Sequence, residues 1–367
     1  MKLTDVVDRI NGNVDRFTTD LEYYIGGEHF ESNELEVTQR GLLKENLGKL
    51  GFKFHFAFQD RDVVFMARNP HLRKAGMVRF AGLCSDASYI LRSKDESVLS
   101  QEYLAVMLQS DHFWDYCESH KVGSVNFANN WSSIANYEFE LPSAEKQKEI
   151  SDKVWAAYRL KESYKKLLAA TEEMVKSQFI EMFKDKGYPL EMIKSFADVS
   201  TGGTPSKAHP EYWNGDKPWV SAEDMKSKYV YDTCEKVTNA GYATCKIIPV
   251  DTLMYVCRGS IGVMAINKIE CATNQSICRA TCHDNVCNVE FLYHALMYQR
   301  DNIKKMGTGT SFKSLNQTTF SELEIELPPY EEQMKFVAIA EQADKSGFEL
   351  RKSIDAIDAV IKSLINS

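Results

Sequence analysis

The sequence predicts an α+β chain with an internal pseudo-repeat, in which two globular α/β domains are separated by two long antiparallel coiled-coil helices. Three observations predict it. One phrase recurs in both halves, a heptad pattern follows each copy, and the intervening segments carry short β-branched and aromatic runs bounded by turn residues.

The phrase is Glu138-Phe139-Glu140-Leu141-Pro142 followed by Glu145 and Gln147. It returns as Glu324-Ile325-Glu326-Leu327-Pro328 followed by Glu331 and Gln333. Weaker echoes keep the same order: Tyr24-Ile25-Gly26-Gly27-Glu28 with Trp219-Val220-Ser221-Ala222-Glu223, residues 63–68 with 253–258, and Glu102-Tyr103-Leu104 with Glu290-Phe291-Leu292. No single match carries weight, but their common order marks a duplicated unit.

Beyond each Leu-Pro the apolar period becomes helical. Phe336, Ala340, Ala343, Gly347, Leu350, Ile354, Ile357, Ile361 and Leu364 alternate steps of four and three, the a/d seam of a coiled coil. The matching seam is Ile150, Val154, Ala157, Lys161, Tyr164, Leu168, Thr171, Val175 and Gln178, with Lys161 and Gln178 as flaws. Each proline lies just ahead of its helix, where a missing N–H costs nothing. The expected segments are a globular domain over 1–143, a spacer helix over 144–186, a second domain over 187–328 and a spacer helix over 329–367. Two helices with one apolar stripe each bury it most simply against each other, which predicts an antiparallel pair holding two domains apart. Pairing across a two-fold axis in a homodimer is the alternative. Within the domains, residues 53–58, 63–66, 253–256 and 261–266 read as strands, Gly202-Gly203 and Asn214-Gly215 as turns, and 288–306 as a helix.

Composition narrows the function. At 367 residues, 44% apolar and 26% charged, the chain is neither disordered nor collagenous. No run approaches the roughly 18 apolar residues of a membrane span. The start, Met1-Lys2-Leu3-Thr4-Asp5, has no apolar signal core, so a cytoplasmic protein with reduced thiols is expected for the 9 cysteines. The net charge of −8 counts against nucleic-acid binding when averaged over the surface. The acidity, however, is concentrated in the first domain and the tail helix, while the central helix is positive.

Signatures of catalysis are missing or incomplete. There is no Gly-x-x-x-x-Gly-Lys-Ser/Thr phosphate loop. Leu327-Pro328-Pro329-Tyr330 has the wording of an amino-methyltransferase loop without its leading Asn or Asp. Glu223-Asp224-Met225-Lys226 offers carboxylates near a lysine without a second acidic strand. Cys271, Cys278, Cys282, His283 and Cys287 lack the close pairs of a structural zinc site; buried reduced thiols are the simpler reading, and metal binding stays open. Binding remains. Arg61, Arg68, Arg73, Lys74 and Arg79 crowd one stretch of the first domain together with Arg92. The second half offers a glycine- and hydroxyl-rich loop with Thr308, Thr310 and Lys313, answered in the first half by Ser124, Asn126 and Asn130. Such groups contact phosphates and base edges.

Six motifs together carry a family resemblance. They are Thr201-Gly202-Gly203-Thr204-Pro205-Ser206, Tyr212-Trp213, Pro218-Trp219-Val220, Arg258-Gly259-Ser260-Ile261-Gly262, Ala272-Thr273-Asn274-Gln275-Ser276, and Leu327-Pro328-Pro329 with Glu331 and Gln333. In combination they resemble the specificity (S) subunit of type I restriction–modification systems, closely over 190–367 and more loosely over 20–185. The resemblance implies two target-recognition domains that each read one half of a split, asymmetric DNA site. It implies helices that space the halves and dock two DNA methyltransferase subunits, with motor–nuclease restriction subunits completing the complex. The chain itself would be non-catalytic and hold no cofactor; S-adenosylmethionine, Mg and ATP would be needed by the partner subunits. No membrane is involved. Lys207, Lys226, Lys228, Arg258, Asn274 and Gln275 join the candidate DNA contacts, and Tyr158 and Phe179 are candidates for the methyltransferase-facing side of the helices. The first half has no counterpart of the Thr201–Pro205 loop. The alternative function is a coiled-coil protein–protein adaptor that never touches DNA.

Overall fold

The computed structural model describes residues 1–125, 127–306 and 315–366. The chain divides into two compact units. The first comprises Met1–Lys166 and the stretch from Leu350 onward; the second comprises Leu167–Glu349.

In the first unit, nine strands form two sheets: β1 (Val7–Ile10), β2 (Tyr23–Ile25), β3 (Glu36–Val37), β4 (Gly41–Leu42), β5 (Phe54–Phe58), β6 (Val63–Met66), β7 (Ala75–Val78), β8 (Gly82–Ser85) and β9 (Ser88–Ser93). One sheet has the order β1-β9-β6-β7-β3 and the other β4-β2-β8-β5. The second unit contains β10 (Leu190–Met192), β11 (Ala197–Thr201), β12 (Trp213–Val220), β13 (Tyr229–Val230), β14 (Lys236–Val237), β15 (Ile247–Ile248), β16 (Leu253–Val256), β17 (Met264–Asn267), β18 (Cys271–Thr273), β19 (Ile277–Cys282) and β20 (Glu324–Glu326). Its main sheets run β11-β19-β16-β17-β13 and β14-β12-β18-β15. Position for position, these are the two sheets of the first unit. The pseudo-repeat is therefore a repeat of topology as well as of wording. The central strands β6 and β16 are buried at every residue, which is why they read as unbroken apolar runs rather than alternating ones.

The central helix (Ala144–Phe183) and the C-terminal helix (Tyr330–Ile365) have 40 and 36 residues, so the first is about 60 Å long at 1.5 Å per residue. They belong to both units rather than forming separate spacers. In the first unit, Val154, Trp155 and Tyr158 of the central helix share a core with Ile361, while Ile357 and Leu364 pack at its edge. In the second, Val175, Phe179 and Phe183 meet Phe336, Val337 and Ala340. The start of one helix thus packs with the end of the other in both units, so the pair is antiparallel. Ile150, Leu168, Leu350 and Ile354, the other expected seam positions, are half-buried. Tyr158 and Phe179, expected on an outward face, are instead buried in the unit cores; large aromatic rings next to a seam are the natural filling between helix and sheet.

The repeated phrase has a structural explanation. Gln147 and Gln333 are buried polar residues one turn into their helices. Gln147 Nε2 donates to the carbonyls of Val98 (2.8 Å) and Pro142 (2.9 Å), and its Oε1 accepts from Ser100 N–H (3.1 Å). Gln333 repeats the pattern with Val286 and Pro328 (both 2.9 Å) and Asn288 N–H (2.9 Å). One amide satisfies three backbone groups where a helix enters the core, which only Gln at this position achieves. The flaw at Lys161 is also explained. Its buried ammonium pairs with Glu34 (2.8 Å) of the globular part and Asp358 (2.6 Å) of the C-terminal helix.

Candidate nucleic-acid interface

In each unit three segments converge at the end of the central strand, held by the same pair of hydrogen bonds. In the first, Ala67 N–H donates to the Ala87 carbonyl (2.9 Å) and Asn129 N–H to the Ala67 carbonyl (2.8 Å). In the second, Cys257 N–H donates to the Ser276 carbonyl (2.8 Å) and Leu315 N–H to the Cys257 carbonyl (2.9 Å). The next residue outward is Arg68 in one unit and Arg258 in the other. Both are exposed and, among the described residues, neither makes an ion pair. Arg258 opens a turn in which Gly259 (φ +80°) and Gly262 (φ +87°) take the left-handed backbone that favours glycine.

Beside Arg68 lie a strand–strand turn and a loop, and beside Arg258 a strand–strand turn. In the first unit the turn is Ser85-Asp86-Ala87, and Asp86 pairs with Lys53 (3.3 Å). The loop is tied down by bridges from Ala128 to Arg68 and Val122. It exposes Ser124 and, at the N-cap of the helix Trp131–Ala135, Asn130, whose side chain makes no cap bond. In the second unit the turn is Asn274-Gln275-Ser276. Asn274 Oδ1 accepts from Ser276 N–H (2.9 Å), and Gln275 is exposed with its Oε1 accepting from the Thr204 hydroxyl. Lys207 lies over the Trp213 ring at 5.5 Å, and Lys226 is exposed. Asn126, Thr308, Thr310 and Lys313 lie outside the described residues.

Most of the first domain's basic cluster is engaged internally. Arg61 bonds Glu96 (2.7 Å) and Glu102 (3.0 Å), which raises its pKa above the ordinary guanidinium value. Arg79 bonds Glu36 (2.8 Å), Arg73 bonds Asp111, and Lys74 donates to the Gly27 carbonyl (2.6 Å). Arg92 holds the buried Asp62 at 2.8 Å. Sequence density of arginines reported a salt-bridged fold face; among the described residues Arg68 is the one arginine of that group that is exposed without a carboxylate partner. Lys228 also moves out of the reading surface. It is largely buried, 2.7 Å from Glu290 and 2.6 Å from Asp344, so its donors are committed within the unit.

The stretch Glu223–Lys226 is a loop support rather than a nuclease site. Asp224 accepts from Ser221 N–H (2.8 Å) and Cys234 N–H (2.7 Å). Cys271, Cys278 and Cys287 are buried and Cys282 half-buried, all as free thiols. Among the described residues no three His, Cys, Asp or Glu side chains are grouped to hold a metal, and no helix is long and apolar enough to cross a membrane.

Sequence reasoning missed Arg279, in β19. It is 1% exposed and donates to the carbonyls of Lys246 (2.6 Å) and Thr201 (2.7 Å) and to Ser200 Oγ (2.9 Å). Burial lowers its pKa, though a guanidinium stays protonated. The only available signal was a charged residue inside the apolar strand Ile277–Cys282.

Residues 190–357 match the family described as the type I restriction modification DNA specificity domain. The chain is 28% identical over 208 residues to the type I restriction enzyme MjaIX specificity subunit of Methanocaldococcus jannaschii, covering 53% of this chain and 48% of that one. It is 27% identical over 191 residues to the HindI specificity subunit of Haemophilus influenzae, covering 49% and 41%. The matches thus span about half the length of these relatives or less. The fold resembles the S subunit of a type I restriction–modification system from M. genitalium, with TM-score 0.63 at 14% identity over 100% of this chain and 94% of the other. A chain from a type I system solved for its complex assembly and conformational transition gives TM-score 0.57 at 14% identity, covering 100% and 95%.

Proposed function

From the premise that this chain is a specificity-subunit relative carrying the type I restriction modification DNA specificity domain over residues 190–357, we propose that it is the non-catalytic DNA-recognition subunit of such a complex. Each unit reads one half of a bipartite, asymmetric duplex site. The observation that carries this reading is the pair of homologous edges. Both present one arginine that makes no ion pair among the described residues, beside a strand–strand turn whose side chains differ: Ser85-Asp86 in one, Asn274-Gln275 in the other. A common scaffold with divergent tips suits two different half-sites. Arginine favours guanine, and Asn or Gln favours adenine, in the major groove. The base-reading set is Arg68, Ser124 and Asn130 in the first unit and Arg258, Asn274 and Gln275 in the second, with Asn126, Thr308, Thr310 and Lys313 as loop contributors. Lys207 and Lys226 serve the phosphates.

The partners are two adenine DNA methyltransferase subunits and motor–nuclease restriction subunits. Those partners use S-adenosylmethionine, Mg and ATP, in a cytoplasmic complex. The exposed Leu160, Leu167, Met174 and Phe348 of the two helices suit a protein partner better than water. The test is to co-express the chain with the methyltransferase of its own system and map methylated adenines. A split motif that depends on this chain supports the reading; methylation independent of it overturns the reading.

A further inference from the structure

Arg279 is a buried cation with no carboxylate partner among the described residues. The titratable groups that act on it are the thiols of Cys271, Cys245 and Cys278, and its Nε has no acceptor among the described groups. A charge so placed is costly, and the fold does not require it. Strand register makes Ile10 and Ile90 partners in the first unit, where Ser200 and Arg279 are partners in the second. The first unit fills the same place with two apolar side chains.

What the arginine does can be followed outward. Its bonds to Ser200 and Thr201 fix the root of the loop 201–205. From there Gly202 lies so close to the neighbouring turn that a Cβ would come within 2.1 Å of the Thr273 carbonyl oxygen and 2.2 Å of that of Asn274. Gly203 N–H donates to the Thr273 carbonyl (2.8 Å), and Trp219 Nε1 donates to the Gly203 carbonyl (3.0 Å). The next residue, Thr204, gives its hydroxyl to Gln275 Oε1. With that oxygen engaged, the exposed Gln275 has its amide N–H groups left to donate to acceptors such as purine N7, guanine O6 or thymine O4.

We infer that Arg279 is a positioning residue for specificity: it seats the loop 201–205 so that Thr204 orients the Gln275 amide, and the base preference of the second unit depends on a side chain that cannot itself reach DNA. This rests on the proposed DNA-recognition function. The first unit, lacking both the arginine and the loop, presents its edge without this relay.

The test uses the full chain co-expressed with its methyltransferase, with methylated adenines mapped on genomic DNA. Arg279→Met removes the charge at similar volume, Arg279→Lys keeps one donor, and Thr204→Val removes only the exposed hydroxyl. The expected result is relaxation at one position in one half of the motif, the same position for Arg279→Met and Thr204→Val, with about a tenfold loss of discrimination there. Arg279→Lys is expected to restore part of the discrimination. The other half stays sharp. An unchanged motif in both variants, or a uniform fall in methylation with no relaxed position, overturns the inference. If Arg279→Met fails to fold, Thr204→Val decides alone. A wild-type chain that directs no motif overturns the proposed function instead.

Discussion

At the residue scale, the side chains that matter are those whose surroundings leave them one role. His294 is pulled down to about 3 by burial and by the Lys228 ammonium 3.2 Å away, so it is neutral and its Nε2 accepts from Lys228. Its ordinary value is 6.5. Between 6.5 and 3 the unfolded chain binds a proton that the folded chain does not, so stability falls as pH drops through that window, by about 1.4 kcal/mol per pH unit from this group. Thermal or urea unfolding from pH 7 to 4.5 should show the loss, and His294→Gln should flatten it. Gln333→Ala leaves Asn288 N–H and two carbonyls without their partner and should cost about 2–4 kcal/mol in urea unfolding. Arg68→Ala and Arg258→Ala should each weaken discrimination in a different half-site by about 1–3 kcal/mol, without lowering thermal stability. The pairing of Arg68 with Arg258 was legible as a repeat echo. The neutralisation of Arg61, Arg73 and Arg79 was not, because their acidic partners come from distant segments that only the fold brings near.

At the element scale, the long helices, their Leu-Pro starts and the central buried strands were legible because their signals are periodic. Two readings differ from the structure: residues 261–266 open with a turn and the strand starts only at Met264, and Asn214-Gly215, expected as a turn, lies within β12 at a register shift. The joins between elements were not legible. The globular part of the first unit offers Glu34 to Lys161 and Lys165 of the central helix (2.8 and 2.9 Å). The second unit reverses the polarity and offers Lys228 to Asp344 of the C-terminal helix (2.6 Å). Aromatic hydroxyls change sides too: Tyr158 sits on the helix in the first, and Tyr229 on the strand in the second, within reach of both Asp344 (2.8 Å) and Glu290 (2.9 Å). Burial, reinforced in each case by neighbouring carboxylates, raises both phenols above the ordinary tyrosine value. A repeat that conserves topology while inverting docking charge favours each globular part on its own helix. Lys161→Met removes the ammonium shared by Glu34 and Asp358 and leaves Glu34 with Lys165 alone, so it should cost about 1–3 kcal/mol. Phe336→Ala, which empties the space against Phe179 and Phe183 (ring centroids 5.2 and 5.7 Å), should cost about 3–5 kcal/mol. Both are readable by denaturant unfolding.

At the scale of the whole molecule, the net charge of −8 and the few cations without an ion pair among the described residues of the two candidate edges point the same way. On the proposed function, the chain supplies base discrimination and its partners supply most phosphate contacts. Isolated chain should therefore bind duplex DNA weakly at physiological salt and gain affinity once its methyltransferase is bound. Which bases are read was not legible, since readout depends on how loops present donors and on DNA shape as well as on residue type. The most direct test of the central claim is the methylation map of the wild-type complex set beside that of Arg258→Ala. Two separated specific halves, with only one degraded by the substitution, is the predicted result. A single contiguous motif, or equal degradation of both halves, would contradict the assignment of one half-site to each unit.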